Sequence, residues 1–253
     1  MSYNNTKIMK LHSPKIETIF FLVFLFLLIL PPFFLQTNSS PDFSLWTFPF
    51  GQMINFLLAL FIWIFWKDSK NQKNEQDISS NKNLENPKLD SKTKRNIKIF
   101  DFLFNQIAPF LFCTCLLFAF GLIFKFISLS PHAEVLTKKV SFTKPNNFVS
   151  VIFCILNFAF SAFYEESVYR FYFPEILLNF LFKKINRKSA IILTEIICTL
   201  AFAFGHLYSG ILSVINAIFA HLILRYCFWR SKNIYTGSAA HFIYNLLVLF
   251  LII

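Results

Sequence analysis

The stretch FVSVIFCILNFAFSAFYEESVYR, residues 148–170, decides how this chain folds and where its chemistry lies. From Phe148 to Tyr164 it carries no charge, and then it places Glu165, Glu166 and Arg170 close together. A helix of about 20 apolar residues is what the hydrocarbon core of a bilayer requires. An ionisable side chain at that depth costs roughly 2.5–3.5 kcal/mol or more, so those that stand there are functional candidates. One segment therefore speaks for both a membrane environment and a buried polar site.

The same reading extends along the chain. Apolar runs near 18–35, 50–66, 102–127, 148–172, 189–207, 211–229 and 236–253 predict an all-α, polytopic transmembrane helical bundle of about seven spans. The segment 171–182 is apolar but too short to cross alone, and either extends the preceding helix or lies at the interface. The composition agrees: 56% of the 253 residues are hydrophobic, and 37 are Phe against 5 Gly, which leaves too little polar surface for a water-soluble domain. Residues 67–98 are rich in Asn, Lys, Ser and Asp and read as a polar cytoplasmic loop. This loop separates a two-helix membrane anchor, 1–66, from a catalytic transmembrane domain, 99–253. Within the anchor, Lys7, Lys10 and Lys15 precede the apolar run without a small-x-small cleavage site after it, which predicts an uncleaved anchor.

The net charge of +11 does not point to nucleic acid, because Lys and Arg fall mainly between the apolar runs. Lys7, Lys10, Lys15, the 67–98 loop, the 183–188 connection, Arg225, Arg230 and Lys232 share one side. The opposite side holds only Lys138, Lys139 and Lys144, which predicts a cytoplasmic N-terminus and an external C-terminus. The expected location is the cell (inner) membrane. The five Cys, at 113, 115, 154, 198 and 227, lie within apolar runs and form no disulfide framework or zinc-ribbon spacing.

Three polar groups stand in the C-terminal helices. Glu166 and Arg170, at i and i+4, share a face and can pair, whereas Glu165 lies about 100° around the helix without that partner and suits a general base. Phe202 and His206 stand one turn apart, as do His241 and Asn245, which together can donate hydrogen bonds to an oxyanion. Taken singly, each has a plainer explanation: the charges mark a helix end, and His and Asn bond neighbouring helices. Their occurrence on three helices favours a site. Glu195, eleven residues before His206, is read on the same helix face but nearer the membrane surface, and His221 and Asn216 are read as packing or hydrogen-bonding residues.

Glu165-Glu166-x-x-x-Arg170, Phe202-x-x-x-His206 and His241-x-x-x-Asn245 resemble, in order, the motifs of the CAAX-protease and bacteriocin-processing (CPBP, or Abi) family of intramembrane proteases. The resemblance covers residues 148–253 and departs from the family at Phe171, where Gly is frequent. It implies hydrolysis of peptide bonds in membrane-associated or prenylated CAAX-type substrates, with membrane lipid and a peptide or lipidated protein as partners. In that reading Glu165, assisted by His206, activates water; His241 and Asn245 hold the oxyanion; Glu166 and Arg170 hold the helix end. A competing mechanism places zinc on Glu165, His206 and His241, although no His-Glu-x-x-His is present. A membrane immunity or scaffold protein without turnover and a proton-coupled transporter are the other readings, the latter weakened by the lack of repeats and broken helix pairs. One difficulty follows from simple helix boundaries, which put Glu165 and His206 at opposite ends of successive spans. Their meeting requires the first helix to continue past Pro174, or a re-entrant segment between them.

Overall fold

The computed structural model describes residues 53–54, 56–57, 99–130 and 145–252, and what it describes is all helical. The apolar runs at 18–35 and most of 50–66, the 67–98 loop and Lys138, Lys139 and Lys144 lie outside these residues.

After the helical residues 53–54 and 56–57, a helix runs from Ile99 and passes through a π-helical turn, Leu103–Ile107, into α1, Ala108–Ser128. Next comes α2, Phe148–Glu166, whose start is set by a capping box: the Asn147 carboxamide oxygen accepts from the Ser150 amide at 2.8 Å, and the Ser150 hydroxyl accepts from the Asn147 amide at 3.1 Å. A π-helical turn, Ser167–Tyr172, then leads into α3, Phe173–Phe182. A short turn leads to α4, Arg187–Phe204, capped by Asn186, and a 3₁₀ turn, Leu207–Ser209, leads to α5, Ile211–Ser231. The last helix, α6, Ile234–Leu247, ends in a further π turn, Val248–Ile252.

Among the described residues four helices are long and apolar enough to cross a membrane: Ile99–Ser128, Phe148–Phe182, Ile211–Ser231 and Ile234–Leu251. The run at 189–207 forms α4, but Arg187, Lys188 and Glu195 shorten its apolar stretch. Helix α6 packs against α2, α1 and α5; α5 also packs against α1 and α4; α3 packs against α4. Small residues on α6, Gly237, Ser238 and Ala240, are buried and let these helices approach closely. Among the described residues the two larger of three apolar clusters fill most of the interior. One joins Phe163, Tyr169, Phe173 and Leu177 to Phe202 and Ala203, and the other joins Cys113 and Leu117 to Leu224, Cys227 and Tyr244. Phe100, Phe126 and Phe148, in contrast, are largely exposed, as lipid-facing residues are.

The uninterrupted run Phe148–Phe182 removes the difficulty of the helix ends. At 1.5 Å per residue its 35 residues extend about 52 Å, and Glu165 stands near its middle rather than at its end. Past the turn at 183–186, α4 returns alongside. Glu165 before the turn and Phe204 after it are each about 26 Å from their own end of the hairpin. His206 thus comes level with Glu165, and the continued helix, rather than a re-entrant segment, is the solution the fold adopts.

Pro174 does not stop this helix because its cost is met elsewhere. It brings no N–H to the carbonyl of Arg170, four residues earlier. Arg225 Nη1, on α5, donates to that carbonyl instead. The sequence reading counts Arg225 among loop charges, but here it is buried within α5 and held by Glu195 of α4, with Nη2 to Oε1 at 2.7 Å and Nε to Oε2 at 3.0 Å.

The tight α5–α6 turn has one backbone strain point among the described residues, Lys232, at φ 54°. A side chain in this left-handed conformation is disfavoured by about 1–2 kcal/mol, whereas Gly is not. Lys232→Gly is therefore expected to stabilise the protein by about 0.5–1 kcal/mol, read as a higher unfolding midpoint in detergent.

Candidate active site

Glu166 sits at the last turn of α2, 1% exposed, and a carboxylate so placed needs partners. Its Oε1 lies 3.4 Å from Arg170 Nη1, the pair expected from i,i+4 spacing, and 3.0 Å from His241 Nδ1 on α6. Because a carboxylate only accepts, Nδ1 of His241 carries the hydrogen. The other ring nitrogen, Nε2, is thereby turned toward Glu165, 3.8 Å from its Oε2. Gly237, one turn before His241, makes the approach of α6 possible: a Cβ there would stand 3.0 Å from Glu166 Oε2.

Glu165 is held differently. Its Oε1 accepts the Ser161 hydroxyl at 2.8 Å, while Oε2 is buried and receives no hydrogen bond from the protein. A gap of 3.8 Å between Oε2 and an imidazole nitrogen is too long for a direct hydrogen bond.

His206 follows the C-terminal Gly205 cap of α4. Its ring packs edge-on against Phe202 at 4.9 Å, and it is near enough to Glu165 and His241 for each to act on it electrostatically. Phe202 in turn lies under the Arg170 guanidinium, 3.9 Å from its carbon to the ring centroid. Gly210, at φ 97°, allows the chain to turn from this loop into α5. The structure thus brings together Glu165, Glu166, Arg170, Phe202, His206 and His241. Asn245 is half-buried one turn beyond His241 and makes no side-chain hydrogen bond among the described residues. His241, paired in the sequence reading with Asn245, has the two glutamates as its polar neighbours.

Residues the sequence reading passed over also build the site. Ser161 is four residues before Glu165 and Gly237 four before His241, so helical spacing was a sufficient signal for both. Glu195 and Arg225 were each read from sequence, but their pairing across 30 residues gave no such signal. Asn216 donates to the Tyr244 hydroxyl at 3.3 Å, in keeping with the packing role read for it. Among the described residues no group of three or more His, Cys, Asp or Glu side chains stands close enough together to hold a metal ion.

A chain with two adjacent carboxylates against two imidazoles inside a helical bundle invites comparison with membrane hydrolases. Residues 147–247 match the family described as type II CAAX prenyl endopeptidase Rce1-like. This segment is a CPBP-family domain. No curated protein and no solved structure matches the chain significantly. The family domain includes all of α2 to α6, every residue of the site described above, and three of the four candidate spans, at least in large part. Together with its apolar helices it makes the chain a multi-pass integral membrane protein.

Two substitutions test the buried ion pair. Arg170→Met alone strands the Glu166 charge and is expected to cost about 3–5 kcal/mol of stability, while adding Glu166→Leu recovers much of that loss. Unfolding midpoints in detergent would show it. Gly237→Ala is expected to cost about 1–3 kcal/mol, because the buried carboxylate must give way.

Proposed function

We propose that the protein is an intramembrane endopeptidase that hydrolyses a peptide bond in membrane-associated substrates, prenylated CAAX-type proteins among them. The observation that carries this reading is the Oε2 atom of Glu165, buried, without a protein donor and facing the Nε2 atom of His241 at 3.8 Å. Membership of the 147–247 segment in a protease family supports it.

In this mechanism Glu165 takes a proton from a water molecule, and the water oxygen attacks the scissile carbonyl carbon. His206 lies beside Glu165 and assists in orienting that water. Negative charge then develops on the carbonyl oxygen. His241, with Nδ1–H fixed by Glu166, presents Nε2–H to the oxyanion when protonated, and Asn245 supplies a carboxamide donor from the next turn. Collapse of the tetrahedral adduct breaks the C–N bond as Glu165 returns its proton to the leaving nitrogen. Arg170 pairs with the second carboxylate, and Glu166 keeps His241 in place.

The alternatives to this reading, a non-catalytic immunity or scaffold protein and a zinc-dependent variant, are separated from it by assay. Purified protein in detergent would be given a fluorogenic farnesylated peptide and its unprenylated counterpart. Glu165→Gln, His206→Ala and His241→Gln are each expected to lower kcat by about 10²–10⁴-fold. Equal processing by wild type and all three variants would reject the assignment. Turnover is expected to survive a strong chelator; loss that zinc restores would replace the metal-free mechanism.

A further inference from the structure

Arg170 uses only half of its guanidinium. Nη1 is engaged by Glu166 Oε1 and lies 3.4 Å from the Glu165 backbone carbonyl. The other edge, Nε and Nη2, is fully buried and has no hydrogen-bond partner. Those two parallel N–H groups are the pair with which Arg grips a carboxylate through two bonds. Close by, His221 of α5 is 0% exposed, and neither of its ring nitrogens has a partner. Both side chains lie against Phe202, the Arg170 carbon 3.9 Å from the ring centroid and the His221 ring at 5.5 Å. Arg170 and His221 are also near enough to act on each other electrostatically.

Buried polar groups are ordinarily satisfied, and unpaired guanidinium and imidazole donors side by side are a rare combination. Neither takes part in the water-activating step. Both lie against Phe202 and share one chemical preference: a planar anion that accepts several hydrogen bonds.

We propose that the free Nε/Nη2 edge of Arg170, with His221 beside it, is a subsite for a carboxylate of the substrate. The carboxylate oxygens accept from Arg170 Nε–H and Nη2–H, and one also accepts from a His221 N–H. Phe202 forms the apolar floor that keeps the three groups in register. The subsite belongs to the hydrolytic reading and supplies its specificity: a peptide whose carboxylate docks here has its scissile carbonyl drawn toward Glu165. A carboxylate at the C-terminus and one on an acidic side chain offer the same chemistry, and the two are told apart by experiment.

Binding is measured first, without relying on turnover. Glu165→Gln protein in detergent would be mixed with three forms of one peptide: free C-terminal carboxylate, C-terminal carboxamide, and carboxamide with Glu as the last residue. The expected result is a thermal shift with the free carboxylate and a dissociation constant about tenfold or more weaker for the plain carboxamide. A shift with the Glu-bearing carboxamide alone also supports the subsite and assigns it to an acidic side chain. Equal binding of all three, or of none, overturns the proposal. With wild type, the carboxylate-to-carboxamide preference is expected to appear in KM rather than kcat and to fall to near unity in His221→Phe. If His221→Phe lowers turnover of both peptides by the same factor, His221 is merely structural and the proposal fails. Carboxylate-selective binding without turnover of any peptide would reject the hydrolytic reading and leave the subsite standing.

Discussion

The rest of this structure depends on burying one carboxylate. Glu166 lies at the junction of α2 with the π turn, and its Oε1 is shared by Arg170 on its own helix and His241 on α6. An ion taken out of water forfeits several kcal/mol of solvation, which only close and well-aligned partners offset. Each partner therefore carries a structural consequence. His241 fixes the distance of α6 from α2, and Gly237 is the residue small enough to permit it. Arg170, once drawn inward, brings Phe202 of α4 against its guanidinium face. Its carbonyl, left without an amide by Pro174, brings in Arg225 of α5, and Arg225 brings in Glu195 of α4. Helices α2, α4, α5 and α6 are thus tied together by polar contacts where lipid supplies no hydrophobic force between them.

Adjacent glutamates would be a liability if they shared one environment, because like charges in a poorly solvated site cannot both remain ionised. The helix separates them by about 100° of rotation. Glu166 then faces the cation and the second helix, while Glu165 faces a single hydroxyl and an imidazole nitrogen beyond hydrogen-bond distance. Identical side chains acquire different duties from their surroundings alone. The tethered one holds the His241 ring at Nδ1, and the less tethered one keeps a buried oxygen without a hydrogen bond.

What was legible in the sequence was whatever depends on helical spacing. The membrane environment, the Glu166–Arg170 pair and the Phe202–His206 contact followed from apolar length and from i,i+4 positions, whereas the grouping of Glu165 with both imidazoles rested on their occurrence on three successive helices and on the family resemblance. What was hidden depends on distant partners. Hydropathy reports the cost of transferring a segment to lipid, and it ended the helix near 172 because charge and Pro174 lie there. The helix runs on to Phe182 because Arg225 satisfies the carbonyl that Pro174 abandons. A donor 55 residues away cannot be inferred from the local pattern. The same blindness made Arg225 look like a loop charge and Glu195 like a face-mate of His206.

The position of the unsatisfied atoms completes the picture. Had the polar residues served only to hold helices together, their donors and acceptors would be spent on one another, as those of Glu195 and Arg225 are. Instead, Glu165 Oε2, the Nε/Nη2 edge of Arg170 and both nitrogens of His221 remain without partners, as do the hydroxyls of Ser167, Thr194 and Ser238, and all are buried. Each such atom lowers stability by about 1–3 kcal/mol, a cost no packing role repays. A water to be deprotonated needs an unspent acceptor, and an anionic group to be held needs unspent donors. The polar interior thus has two parts: a satisfied framework that fixes the helices, and an unsatisfied remainder that includes the atoms to which the proposed water and carboxylate would bind.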